Sequence, residues 1–347
     1  MSQKKYEHVF FIGRFQPLHD GHVSVIDHAI TLAHNVHILI GSSNVARSIR
    51  NPFTFKERSS FIKDHFKDKV QTITPINDYP YNDKTWAKEV IQAIYNVTDG
   101  YNEKVAIIGH TKEDTAYYLS LFSIYSLKLE EVPETIKINA TEIRKLYFSS
   151  HTSDLFLKVR TTETVKNFLK SFELSSSYLD LQAEFLYAEK YKKDWSSSPY
   201  PPIFVTVDSV VVDELTKKIL LIRRKSNPGK NLLALPGGFL DQKETLLQAS
   251  IRELKEETCL NISEQILKSS LKSQHTFDHP LRSIRGRTIS NAFYFSLTNT
   301  CSLDLKVTAA DDAISAGWYS LSEIQSENMF EDHYSIIQHF LHTTKAT

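Results

Sequence analysis

A 23-residue run in the last third of the chain dictates one local structure before any other feature does. From Gly238 to Leu260 it reads Gly, five residues, Glu244, seven residues, then Arg252-Glu253-Leu254-Lys255-Glu256-Glu257-Thr258-Cys259-Leu260. Glu253, Glu256 and Glu257 stand at i, i+3 and i+4, so a helix gathers them on one face. Leu247, Ile251 and Leu254 form an apolar stripe on another side, which lets the helix dock while showing its carboxylates. Acids packed this way repel unless a cation joins them, and hard oxygen donors suit Mg²⁺ or Mn²⁺. Arg252 can pair with Glu256 one turn on and hold it. Gly237-Gly238 suits a tight turn ahead of a helix over 244–257 and a backbone carbonyl ligand. A solvated acidic face is the alternative for three glutamates alone, but the full spacing argues against it.

Around this helix the chain reads as a mixed α+β domain. Residues 203–212 and 219–222 are apolar strands joined as a hairpin, and 291–297 and 318–321 add later strands. The first third differs. Short apolar runs at 9–12, 36–41, 70–76 and 105–109 alternate with helical patterns. Val23, Ile26, Ile30 and Ala33 mark one helix, and 61–66 and 86–95 lie in two more. That alternation predicts a doubly wound parallel α/β domain, whose ligands sit at the carboxyl ends of the strands. Between the halves, Leu181, Phe185, Ala188 and Trp195 share a helical stripe flanked by serine triplets, and Pro199-Tyr200-Pro201-Pro202 stops it. The organisation expected is therefore a domain over 1–174, a connecting helix over 175–199 and a second domain over 200–347. A length of 347 residues suits two domains.

Lys and Arg number 41 and so do Asp and Glu, which argues against a dedicated nucleic-acid binder. Two cysteines, Cys259 and Cys301, cannot build a disulfide scaffold or a Cys-rich zinc module and suit a reducing cytoplasm. No run of ~18 apolar residues suggests a membrane span, and the N-terminal apolar run is too short for a signal peptide. The sequence leaves open whether the protein is a homo-oligomer.

The segment between the first strand and first helix, Gly13-Arg14-Phe15-Gln16-Pro17-Leu18-His19-Asp20-Gly21-His22, has the makings of a phosphate site. A helix start offers free N–H groups to an anion, and His19 and His22 fall on one side of its first turn. Gly21 lets a phosphate near the backbone, and Arg14 adds a bidentate cation. Neither a P-loop nor a GxGxxG fingerprint is present.

This segment resembles the HxGH nucleotidyltransferase superfamily, most closely the archaeal-type nicotinamide mononucleotide (NMN) adenylyltransferases. Arg50-Asn51-Pro52-Phe53-Thr54 with Glu57-Arg58, Asp78, Trp86, and Asn139-Ala140-Thr141-Glu142-Ile143-Arg144 extend the likeness. The resemblance implies a Rossmann-like domain that joins AMP from ATP to NMN with Mg²⁺. His19 and His22 would stabilise the ATP phosphates, with Gly13, Phe15 and Gly21 in the phosphate-binding segment. Arg14, Arg50 and Arg144 would neutralise charge, and Thr141 would cap the helix before Arg144. Asp78 and Trp86 would hold NMN, Trp86 by stacking. From the residues alone, the alternatives are a core aromatic for Trp86 and a surface charge for Arg50.

The 238–260 run is similar to the Nudix box, GX5EX7REUXEEXGU, with Cys259 in place of its last Gly. Pro201-Pro202-Ile203, Arg282, Arg285, Arg287 and Asp311-Asp312-Ala313 before Trp318 resemble the ADP-ribose pyrophosphatase branch. The likeness implies an α/β/α-sandwich with a mixed sheet. Glu253, Glu256 and Glu257 would bind Mg²⁺ or Mn²⁺ with Arg252 beside them. Gly238, Arg282, Arg285 and Arg287 would bind ADP-ribose, and a buried thiol is expected at Cys259. The order of the halves matches bifunctional NMN adenylyltransferase/Nudix hydrolases, implying hydrolysis of ADP-ribose to AMP and ribose 5-phosphate. The substitution at Cys259 also raises the alternative of a catalytically weak domain that senses ADP-ribose.

Overall fold

Side chains in β1 (Tyr6–Gly13) alternate between two cores, as a strand buried on both faces requires. In a computed structural model, the chain is described over residues 4–98, 104–109, 122, 127–133, 138–149, 160–298 and 305–343. Val9 and Phe11 join one core, with Val25, Ile26, Ile38, Phe61, Tyr147 and Phe148. Phe10 points the other way, toward Leu39, Val90, Ile91, Ile94 and Ile107. The remaining strands are β2 (Ala33–Ile40), β3 (Thr72–Pro75), β4 (Val105–Gly109) and β5 (Lys128–Glu131). All pair in parallel, in the order β3-β2-β1-β4-β5. The chain reverses its winding between β1 and β4, which places a crevice at the end of β1.

Six helices accompany this sheet among the described residues: α1 (Asp20–Leu32), α2 (Phe55–Phe66), α3 (Asp83–Tyr95), α4 (Ala140–Phe148), α5 (Glu163–Phe172) and α6 (Ser176–Asp194). Ala33, expected on the first helix, instead opens β2 with extended φ and ψ of −124° and 156°. The connecting helix is α6, and Leu181 and Phe185 pack into the first core beside Tyr178. The chain forms two compact units, Met1–Phe185 and Leu186–Thr347, divided within this helix. Trp195 lies just beyond its end and is 45% exposed.

Buried inside the first unit, His37 contacts His8 at 3.0 Å and the Thr72 hydroxyl at 2.8 Å, and stacks on Phe10. Burial, with the His8 charge second, depresses its pKa to about 4. The unfolded chain therefore takes up this proton first, and the stability His37 contributes above pH 6.5 is lost as pH falls toward 4. His37→Gln should shrink the stability difference between pH 7.5 and 4.5 by ~2 kcal/mol in urea unfolding. An unchanged difference would rule this out.

The second unit holds a seven-stranded mixed sheet. Its strands are β6 (Phe204–Asp213), β7 (Lys218–Arg224), β8 (Leu233–Ala234), β9 (Gly237–Phe239), β10 (Leu271–Phe277), β11 (Thr288–Leu297) and β12 (Ala313–Ser320). The path runs β10-β11-β6-β7-β12, with β8 on β7 and β9 on β6. Only β11 and β6 are parallel, and the expected hairpin joins Val212 to Ile219. Helices cover both faces. From β11, Phe293, Phe295 and Leu297 face α7 (Leu246–Thr258) and α8 (Glu264–Ser270). The intervening Tyr294 stacks on Phe340 of α9 (His333–Thr343). Among the described residues no helix is long and apolar enough to cross a membrane.

Candidate functional site

The loop leaving β1 is built around a buried ring. Phe15 has φ of 51° and is only 1% exposed. Its ring lies 4.8 Å from that of His22 and so close to Gly13 that a Cβ there would approach within 2.9 Å. Gly13 and Phe15 thus shape the loop through packing, and Phe15 presents no ring surface to a ligand. His19 occupies the N-cap position of α1, and its ring stacks on His22 with centroids 3.7 Å apart and planes at 24°. Gly21 is buried in the first turn between them. The two imidazoles therefore stand together at a helix N-terminus, where an anion is favoured.

Three guanidiniums converge on the same loop. Burial lowers the pKa of Arg50 to about 10, and the Arg14 charge pushes it the same way. Arg144 is lowered to about 10 by burial and then by both Arg14 and Arg50. Cations that destabilise one another in this way form a ready anion site. Asp78 sets a carboxylate against Arg14 and Arg50, and accepts from the Ser42 amide at 3.1 Å. Arg144 also braces the site, donating to Gln16 O at 2.8 Å, Ile49 O at 3.2 Å and the Thr141 hydroxyl at 3.2 Å. The expected capping role of Thr141 belongs to Asn139, whose side chain accepts from the Thr141 amide, because Asn139 is the last extended residue before α4. Trp86, in the first turn of α3, is partly buried with its ring 5.7 Å from Phe122.

Two bracing residues give little signal in the sequence. Gln16 is 1% exposed and spans the Phe53 peptide, donating to its carbonyl and accepting from its amide. Arg58 is equally buried and donates to the carbonyls of Arg14, Gly41 and Ser42. Both spend their polar groups on the backbone, which local spacing cannot reveal.

In the second unit α7 begins with a capping box, Thr245 with Gln248. Arg252 is its hub. It grips Glu244 with two nitrogens at 3.0 and 2.7 Å, and its Nη1 reaches Glu253 and Glu256 at 2.9 Å each. These carboxylates, that of Glu244 foremost, raise the Arg252 pKa. Glu257 turns inward, 4% exposed, and accepts from the Gly237 amide at 2.9 Å. Burial raises its pKa to about 8, with the Glu253 charge adding to the effect. Glu253 is also raised by burial. Gly237 and Gly238 lie in strand β9, not in a turn, and glycine is needed there for close approach. A Cβ on Gly237 would meet Val207 O at 2.1 Å, and one on Gly238 would meet the Glu253 carboxylate at 2.5 Å.

This donor set fits a divalent metal ion. The oxygens are hard, and two are held in burial where bare charge is unfavourable. Among the described residues no three His, Cys, Asp or Glu side chains are gathered as a metal site: Glu253 and Glu256 are drawn to Arg252 and Glu257 to the Gly237 amide. Cys259 takes the left-handed conformation of a helix-ending Gly, φ 49° and ψ 30°. Its thiol is exposed, contrary to the buried one expected, because the helix ends at the surface there. Cys259→Gly should relieve the backbone and raise stability by about 0.5–1 kcal/mol, read as a higher Tm.

The three arginines expected on ADP-ribose divide. Arg282 is 7% exposed and makes a bidentate pair with Asp332, both bonds 2.9 Å. Burial opposes its charge, but Asp332 and Asp208 outweigh that and raise its pKa. It is a structural ion pair and does not face a ligand, a correction that follows from its inward side chain. Next to it, Asp208 accepts from the Ser290 hydroxyl, and His333, lowered to about 3 by burial, accepts from the Leu235 amide. Arg285 stacks over Phe239 at 5.0 Å, beside Gly238. Arg287 donates to Asp278.

Arg224, unremarked in the sequence, lies in the field of Glu257, a carboxylate of α7. It ends β7, stacks over Phe330 at 4.2 Å and feels the charges of Arg285, Glu331, Glu257 and Asp312. The available clue was alternation, which puts Arg224 on the same face as buried Ile222.

Residues 10–198 match the model of the cytidylyltransferase-like family and residues 202–340 that of the NUDIX domain. A crystal structure of a bifunctional NMN adenylyltransferase/ADP ribose pyrophosphatase from Francisella tularensis, complexed with AMP and a Mn ion, superposes with a TM-score of 0.88. It is 36% identical, over 97% of this chain and 99% of that one. The first half is 32% identical over 185 residues to a nicotinamide/nicotinic acid mononucleotide adenylyltransferase of Acinetobacter baylyi, covering 52% of this chain and 94% of that protein. The second half is 36% identical over 137 residues to an ADP-ribose pyrophosphatase of Methanocaldococcus jannaschii, covering 40% of this chain and 72% of that protein. Two family models in this order, and one relative matched from end to end, place the chain in the family of bifunctional NMN adenylyltransferase/ADP-ribose pyrophosphatases.

Proposed function

We propose that the first unit transfers AMP from ATP to NMN, giving NAD and pyrophosphate. The second unit hydrolyses ADP-ribose to AMP and ribose 5-phosphate, and Mg²⁺ serves both reactions. The observation that carries the reading is the crowding of Arg14, Arg50 and Arg144, with Arg144 bonded to Gln16 O in the loop that bears the stacked His19 and His22. The nucleophile, the NMN phosphate, is already an anion at neutral pH, so the site needs no general base. Its work is positioning and charge stabilisation. His19, His22 and the three arginines hold the triphosphate and meet the negative charge that develops on the leaving pyrophosphate. Asp78 and Trp86 orient NMN.

In the second unit, Glu253, Glu256 and Glu257 hold the divalent ion, which when bound supplies an activated water and offsets diphosphate charge. Arg252 keeps Glu253 and Glu256 on one side of α7, and the Gly237 amide orients Glu257. Arg224 and Arg285, each braced on a phenylalanine, face the diphosphate. The sensor alternative rested on Cys259, and the backbone there adopts the conformation that the usual glycine provides. A cytoplasmic setting accords with this reading.

Chromatography of the purified full chain tests both halves. NMN, ATP and Mg²⁺ should yield NAD, ADP-ribose and Mg²⁺ should yield AMP, and EDTA should stop both. Absence of either product refutes that half.

A further inference from the structure

We infer that Glu184, on the helix that connects the two halves of the sequence, is a positioning residue for the ATP phosphates and acts through Arg50. The inference rests on the adenylyltransferase reading. Glu184 is 7% exposed, and its Oε2 accepts the backbone N–H of Ile49 at 3.1 Å across 135 residues of sequence. Ile49 and Arg50 form the tip of a tight turn closed between Ser48 and Asn51. The Ile49 carbonyl accepts from Arg144 Nε at 3.2 Å. The residue just before Arg50 is thus gripped on its N–H side by Glu184 and on its C=O side by Arg144.

This grip has an electrostatic purpose. Arg50 is held where burial and Arg14 both disfavour its charge, and Arg144 stands in the same field. Asp78 offsets part of this crowding, but the three cations still push one another apart, and a loosely held turn would yield by swinging Arg50 outward. Other ties act elsewhere on the segment. Arg47 pairs with Glu57 at 2.8 and 2.9 Å, and Gln16 clasps Phe53. Glu184 acts at the tip itself. A buried carboxylate makes a strong acceptor for an amide, so its removal loosens the tip while Arg144, Arg47 and Gln16 keep their own ties to the segment.

Steady-state NAD synthesis by the full-length protein, with ATP and NMN varied separately, tests this. Glu184→Ala should raise KM for ATP about tenfold and change KM for NMN less than about twofold. Glu184→Gln, which keeps an acceptor oxygen, should restore KM for ATP to within about twofold of wild type. Thermal unfolding followed by circular dichroism reports on the folding of each variant, and ADP-ribose hydrolysis on the intact second unit. The inference is overturned if KM for ATP is unmoved in Glu184→Ala, if both KM values rise together, or if Glu184→Gln is as impaired as the alanine variant. Should Glu184→Ala not fold, Ile49→Pro removes the same hydrogen bond from the donor side, at a turn position that accepts proline. It should show the same rise confined to ATP, and a normal KM for ATP in it overturns the inference. Wild-type protein that makes no NAD overturns the underlying reading, and this inference with it.

Discussion

Glu253→Gln will lower ADP-ribose hydrolysis by a factor on the order of a hundred to a thousand, with NAD synthesis from NMN and ATP unchanged. The amide is isosteric, so the contact with Arg252 Nη1 at 2.9 Å survives through the remaining carbonyl oxygen, and the fold should hold. What is lost is one negative charge beside Glu257, whose own charge is already disfavoured by burial. Divalent metal affinity falls with it, and raising Mg²⁺ or Mn²⁺ should recover part of the rate. Hydrolysis in Glu253→Gln equal to wild type at low metal concentration would contradict the metal assignment. Glu244→Gln offers a contrast, because Glu244 meets the site only through Arg252. It should show a smaller loss, about ten- to a hundredfold.

The reciprocal result is expected in the first unit. His22→Ala should cut NAD formation about a hundred- to a thousandfold and leave ADP-ribose hydrolysis intact. Its ring packs on Phe15 and His19, so part of any effect could come from a slackened loop. His22→Asn separates the two contributions. It retains a donor and much of the volume, and should recover more rate than alanine if hydrogen bonding to phosphate is what matters. Equal rates for the two variants would show that the imidazole serves packing alone. Measuring both activities on one preparation controls for the amount of active protein, and an unchanged thermal unfolding transition controls for folding of the mutated unit.

What could be read without coordinates was whatever repeats at short range. The acidic face of α7 follows from helical spacing, and the site at the end of β1 follows from strand–helix alternation. Long-range partners stayed hidden. Arg282 and Arg224 look alike in sequence, yet one pairs with Asp332, 50 residues away, and the other donates to Pro228 O and stacks on Phe330. The family likeness puts the cap at Thr141, but Asn139 precedes it and its side chain accepts from the Thr141 amide. Strands β5 and β10 carry mostly exposed residues and lack the apolar signature that revealed their neighbours. The connecting helix was legible as a helix. That its first half packs into the preceding core became visible only in three dimensions.

The glycine at 238 carries a consequence for how such chains can diverge. Because the Glu253 carboxylate fills the space where a side chain would start, the smallest of substitutions there would displace that acid. One added methyl group could thus silence the hydrolase in an otherwise intact sandwich, and lineages that keep the architecture but abandon the reaction have a one-step route through this position.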